Sequence, residues 1–266
     1  MARSTYISEN LTQKQIDFML MLDDYELDIF TLEEVKAQLG DKADNINELI
    51  ENLVHKRIFS RIERGKYCRY NFRDENVIGS FLASDGVISY WSALHKYGLT
   101  EQFPNSIFVQ TSKAKKDKIV FGVYYKFVKV ISSKQAEIKE EGYGNHKYRI
   151  TTIEKTIADC FDLPQYSGGY AELIRAFNEA SLNSKKMIAA CEAIHNIAAI
   201  KRMGYLATLF EKNDLTDFIQ YAEKQTNEKY NLFDPAGEEE GEFVNRWKLR
   251  LNITEENILG IINKQY

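Results

Sequence analysis

Between residues 44 and 72 the hydrophobic period of the chain changes, and this change limits its possible folds more than any other feature. Ile46, Leu49, Ile50, Leu53 and Val54 recur at i, i+3, i+4, i+7 and i+8, the spacing of one apolar helix face. After Lys56 the pattern becomes strand-like, with Ile58, Ser60 and Ile62 alternating with Phe59, Arg61 and Glu63. Arg64-Gly65-Lys66 supplies a glycine turn and Tyr67 to Phe72 a returning strand, so a hairpin follows the helix directly.

Upstream lie two more helical patterns. Residues 12–25 carry Ile16, Met19 and Leu20 on one side with Phe18, Leu22 and Tyr25 beside them. Thr31 is placed to cap a second helix, in which Leu32, Val35 and Leu39 recur, Glu33 and Glu34 favour the first turn, and Gly40 ends the run. Three small helices and a basic hairpin are the layout of a winged helix-turn-helix, expected over residues 1–75. The remainder, 76–266, reads as a larger mixed domain. Helical stretches are expected at 76–83, 88–97, 151–161, 170–182, 185–200, 202–212, 215–226 and 254–264. Strand-like composition falls at 106–110, 119–131, 134–139, 146–150 and 243–252. The fold class expected is α+β.

Charge sharpens the functional reading. The net charge of −4 does not mark a nucleic-acid binder, but the distribution is uneven. From His55 to Arg73 seven bases face the single acid Glu63, whereas from Glu211 to Glu242 ten acids face three lysines. The third helix leaves Asn45, Asn47, Glu48, Glu51, Asn52 and Lys56 outward; amides read base edges in a major groove, and cations neutralise phosphates. The expected DNA-binding set is therefore Asn45, Asn47, Asn52, Lys56, Arg57, Arg61, Arg64, Lys66 and Arg69. Lys113, Lys115, Lys116 and Lys118 form a second basic cluster, a candidate for further nucleic-acid contact. A winged helix also serves as a protein-interaction module, and a basic hairpin can be a solvated, aggregation-resistant edge.

Five blocks, in order, resemble the AbiEi family of antitoxins: the wing "RIERGKYCRY", "SYWSALHKYGL" (Ser89 to Leu99), "ITTIEKTIADCFDLPQYSGG" (Ile150 to Gly169), "IKRMGYLATLF" (Ile200 to Phe210), and "LFDP" with "RWKLRLNI" (Leu232 to Pro235, Arg246 to Ile253). The resemblance implies a cytoplasmic transcriptional autorepressor of a type IV toxin-antitoxin, abortive-infection system. Its N-terminal winged helix would bind an inverted-repeat operator on duplex DNA. Its C-terminal domain would antagonise a cognate nucleotidyltransferase toxin, without a stable complex being implied. The acidic "PAGEEEGE" stretch departs from the family pattern.

Catalytic constellations are sparse. No Gly-Ser loop with paired aspartates marks the chain as the nucleotidyltransferase itself, and no G-x-x-x-x-G-K-[ST] cradles a phosphate. Glu137-Ile138-Lys139 matches the E-x-K of magnesium-dependent nucleases, with Asp117 upstream, which makes a DNA-targeted nuclease the alternative reading. Cys191 and His195 stand at i, i+4 without a second metal-ligand pair, and Ser92 and His95 share a helix face without a carboxylate orienter. Lys155 and Asp159, also i, i+4, read as an exposed ion pair or a structural contact. No catalytic residue, cofactor or metal is expected. Three scattered cysteines, an N-terminus without an apolar core and the lack of a long apolar run point to a reducing cytoplasm and no membrane.

Overall fold

The computed structural model describes residues 10–40 and 45–263. The chain is α+β and divides into two compact units. The first runs to Val77 and takes in Gly142–Lys147; the second comprises Ile78–Glu141 and the chain from Tyr148 onward. The sequence boundary near residue 75 thus falls two residues early, and six residues from a distant hairpin turn join the first unit.

In the first unit, helix α1 (Gln13–Asp24) is followed by strand β1 (Ile29–Thr31), helices α2 (Leu32–Leu39) and α3 (Ile46–His55), and strands β2 (Phe59–Glu63) and β3 (Lys66–Arg69). β1 was not expected; it joins the hairpin in a three-stranded antiparallel sheet of order β1-β3-β2. Two capping boxes set the helix starts. Thr12 and Gln15 reciprocate across the first turn of α1, and Thr31 and Glu34 do so for α2. Gly40 closes α2 with a positive φ of 53°. The core is aromatic: Phe30 and Phe59 meet edge to face with centroids 5.4 Å apart, and Phe18 packs edge-on to both. Phe18 and Leu22 carry the buried line of α1, while Ile16 and Leu20 face solvent. The broad apolar face expected there is only half used.

The second unit continues helix α4 (Glu75–Leu82), which straddles the division between units, into strand β4 (Val87–Ile88), helix α5 (Tyr90–Lys96) and strand β5 (Ile107–Thr111). Strands β6 (Lys118–Val120), β7 (Val123–Lys129), β8 (Ile138–Glu141) and β9 (Tyr148–Thr151) complete a mixed six-stranded sheet of order β6-β7-β5-β4-β9-β8. The single strand expected at 119–131 is a hairpin instead, turned through Phe121 and Gly122, both with positive φ. Helices α6 (Ile153–Asp162), α7 (Tyr170–Glu179), α8 (Ser184–Ile194), α9 (Ile197–Leu209) and α10 (Thr216–Gln225) follow. Strands β10 (Asn231–Leu232), β11 (Glu242–Val244) and β12 (Leu249–Leu251) form a small sheet, and helix α11 (Glu255–Asn263) ends the described chain.

Two expectations for the helices change in this unit. The helix expected from 151 begins instead at Ile153 under a Thr152 cap; the Thr151 hydroxyl is 2.7 Å from that of Thr156, and Glu154 accepts from the Asn183 N–H. The helices expected at 185–200 and 202–212 break instead at His195, which is left-handed, and Asn196, which caps α9. His195 is therefore past the end of α8, off the helix face that carries the buried Cys191. Finally, two buried cations on α9 hold the small sheet. The Lys201 ammonium donates to the Asn227 and Asn231 side chains and the Lys229 carbonyl, and the Arg202 guanidinium to the Leu232 carbonyl.

The main correction in this unit concerns Lys155 and Asp159. The pair is fully buried, not exposed, and eight consecutive residues of α6, Glu154 to Phe161, are buried. The Lys155 ammonium bonds one Asp159 oxygen; Ser89 Oγ (3.2 Å) and Gln110 Nε2 (3.3 Å) donate to the other. Burial pushes the Asp159 carboxyl upward, and the Lys155 ammonium with the Ser89 bond opposes that.

Candidate functional site

The hairpin and α3 enclose a groove of about 550 Å³, lined by Asn47 and Glu51 of α3, Arg61 of β2, the Arg64-Gly65 turn, Lys66 and Tyr67 of β3, and Thr31, Leu32 and Glu33 at the start of α2. Local geometry builds it. Gly65 takes φ +75°, and its carbonyl accepts from the Leu32 N–H (2.8 Å), which fixes the turn against the N-terminus of α2. Thr31 pairs with Lys66 across β1 and β3, and a register shift between Arg61 and Glu63 re-aims the strand.

Polar contacts then order the groove. Tyr67, its ring buried and stacked on Phe30, donates its hydroxyl to Glu51 Oε1 (2.8 Å). Burial raises the Tyr67 phenol first, and the bond to the Glu51 carboxylate raises it further, so it remains a donor. The Arg61 guanidinium lies 3.6 Å from the same Glu51 oxygen, with both side chains nearly half exposed. An exposed pair of this kind is worth at most about 1 kcal/mol, so Arg61 exchanges partners at little cost. Lys66 pairs with Glu63 at 3.2 Å. Arg64 is exposed at the turn, and no carboxylate pairs with it among the described residues.

Of the expected DNA-binding set, the structure brings Asn47, Arg61, Arg64 and Lys66 to one groove. Asn45 is exposed at the N-terminus of α3 in a left-handed conformation, without a side-chain capping bond. Asn52 is half-buried on α3. Arg57 is exposed just past that helix with φ +57°, while Ile58 N–H bonds the Leu53 carbonyl in a glycine-like termination.

Two members of the expected set are engaged within the unit. The Lys56 ammonium donates to the Asn10 carbonyl (2.6 Å) and Gln15 Oε1 (2.8 Å), anchoring the start of α1. Arg69 bonds Asp23, lies 3.5 Å from Asp28 and rests over the Phe59 ring. The basic surplus of the sequence is thus partly spent on internal acceptors. Glu51 and Tyr67 are the additions. Glu51 stands at i+4 from Asn47, which was the available signal; the reach of Tyr67 across from β3 left none.

Other candidates separate. Asp117 adjoins β6, and Glu137 with Lys139 adjoins β8, at opposite edges of the six-stranded sheet. Five strand spacings, about 24 Å, lie between them, so they cannot share a magnesium ion. Asp117 instead accepts from the Tyr124 hydroxyl and the Phe127 N–H, and Lys139 pairs with Glu141 over the Tyr97 ring. Asp117 and Glu137 therefore belong to no common site. Ser92 Oγ accepts from Phe108 N–H and donates to the Ser106 carbonyl, a structural role. Lys113 reaches Ser84 and Lys115 lies over Phe127, while Lys116 is exposed and Lys118 lies on the edge strand β6. Among the described residues no three His, Cys, Asp or Glu side chains converge as metal ligands, and no helix is long and apolar enough to cross a membrane.

No family model matches the chain, and no curated protein matches its sequence. Among solved structures, the crystal structure of the RV2827C protein from Mycobacterium tuberculosis is similar to it, with a TM-score of 0.65 over 97% of this chain and 97% of that one, at 14% identity. At that identity the likeness concerns the fold alone.

Proposed function

We propose that the first unit is a winged helix-turn-helix that binds duplex DNA, with α3 in the major groove and the β2–β3 turn as the wing. The observation that carries this reading is the shared groove, where an outward amide (Asn47) stands beside the exposed guanidinium groups of Arg61 and Arg64. Amides and guanidinium groups are the side chains that read base edges and neutralise phosphates. Arg57, exposed at the far end of α3, adds a third cation.

The five sequence blocks similar to AbiEi antitoxins extend the proposal. The chain is a cytoplasmic autorepressor acting on an inverted repeat upstream of its own operon, and its second unit counters a nucleotidyltransferase toxin. A mobility-shift titration of the full chain tests this, using the duplex upstream of its own gene against a scrambled duplex of equal length. The upstream duplex is expected to shift at much lower protein concentration. Equal affinity for both would refute operator recognition, and failure to shift either would refute DNA binding. Co-expression with a nucleotidyltransferase toxin of an AbiE-type system tests the antitoxin half: growth is restored if the reading holds and remains arrested if it does not.

A further inference from the structure

A carboxylate in the middle of a DNA-binding groove needs a reason, because it repels phosphate. Glu51 occupies that position, one helical turn from Asn47 and between Arg61 and Tyr67. Its placement is not loose. The hydroxyl of the buried Tyr67 fixes Oε1, the Arg61 guanidinium lies beside that oxygen, and Oε2 has no partner among the described residues. A pre-positioned, acceptor-only group on the reading helix is complementary to a base edge that presents only a donor. In the major groove that edge is the N4 amino group of cytosine, whereas adenine adds an acceptor at N7 that a carboxylate opposes. The neighbouring Arg61 offers the donors that the paired guanine accepts at O6 and N7.

We infer that Glu51 is a specificity-determining residue that reads a cytosine of the operator, with Tyr67 as the positioning residue that holds its carboxylate and Arg61 as the donor beside it. The inference rests on the proposed DNA-binding role of the groove. It goes beyond that role by assigning a base to an acidic residue that electrostatics alone would count against binding.

Selection of the full chain on a duplex pool with 20 randomised base pairs tests it, with Glu51→Ala, Glu51→Gln and Tyr67→Phe in parallel and thermal melts to establish that each variant folds. The wild-type chain is expected to enrich a motif with a required C·G pair in each half-site. Glu51→Ala is expected to lose the preference at that position alone, by roughly 5- to 150-fold. Glu51→Gln, which carries both a donor and an acceptor, is expected to shift the position toward adenine. Tyr67→Phe is expected to weaken the cytosine preference without changing the base selected. Unchanged motifs in the Ala and Gln variants would overturn the inference and leave the DNA-binding proposal standing. A wild-type chain that enriches nothing would overturn the proposal and the inference together.

Discussion

Replacing Asp159 by alanine removes the carboxylate that neutralises the Lys155 ammonium inside α6. In the folded chain both side chains are essentially inaccessible, and among the described residues the Lys155 ammonium bonds Asp159 alone. Ser89 Oγ and Gln110 Nε2 lose an acceptor as well, and Gln110 Oε1 already has no partner among the described residues. Breaking a buried pair from one side typically costs about 3–5 kcal/mol, mostly from the stranded charge. Against a typical domain stability of about 5–15 kcal/mol this is a large fraction. The assay is urea unfolding with hydrogen exchange on α5, α6 and β5, so that loss in the second unit is separated from the first. A double replacement, Lys155→Met with Asp159→Leu, removes both charges and is expected to recover most of the loss. Two results would refute the reasoning: a cost below about 1 kcal/mol for Asp159→Ala, or a double variant no better than the single one.

Two further changes probe the fold and the groove. Arg57→Gly relieves a left-handed arginine and is expected to stabilise the first unit by about 0.5–1 kcal/mol, measured by thermal unfolding, while weakening DNA binding. Asp85 is partly buried, which would raise its carboxyl, but bonds from Ser112 and Thr111 hold it down to about 2. Because the folded carboxyl then titrates below the unfolded one, its stabilisation is complete above about pH 4 and is lost as pH falls toward 2. Asp85→Asn is expected to cost about 1–2 kcal/mol at pH 7 and to flatten the acid limb of a stability-against-pH curve; an unchanged acid limb would contradict the assignment.

Local rules made much of the fold legible. Thr31, with the acids Glu33 and Glu34 in the first turn, marked the start of α2, and the change of period after Lys56 marked the end of α3 and the hairpin. The losses came where tertiary contacts override local pattern. Phe121 turning with positive φ is rare for an aromatic residue, so 119–131 read as one strand. Asn196 is a good capping residue, yet the apolar run around it concealed the break between α8 and α9. Lys155 and Asp159 showed their spacing but not their burial, because a helix with so many polar residues gives no sign that every face is enclosed. In the candidate site, spacing located Asn47 and the β2–β3 hairpin. The diversion of Lys56 to Gln15 and of Arg69 to Asp23 and Asp28 depends on partners 41 to 46 residues away, beyond any local reading.

In the proposed DNA-binding role, the α3 groove and its neighbouring arginines form a phosphate-neutralising surface. The slope of log K against log salt on one operator duplex measures this directly. Arg57→Ala/Arg61→Ala/Arg64→Ala is expected to reduce the slope by roughly 2 to 3, at about 0.9 for each lost phosphate contact, while Lys56→Ala/Arg69→Ala leaves it unchanged. Equal slopes for the wild-type chain and the triple variant, or a loss confined to the Lys56 and Arg69 pair, would contradict the account.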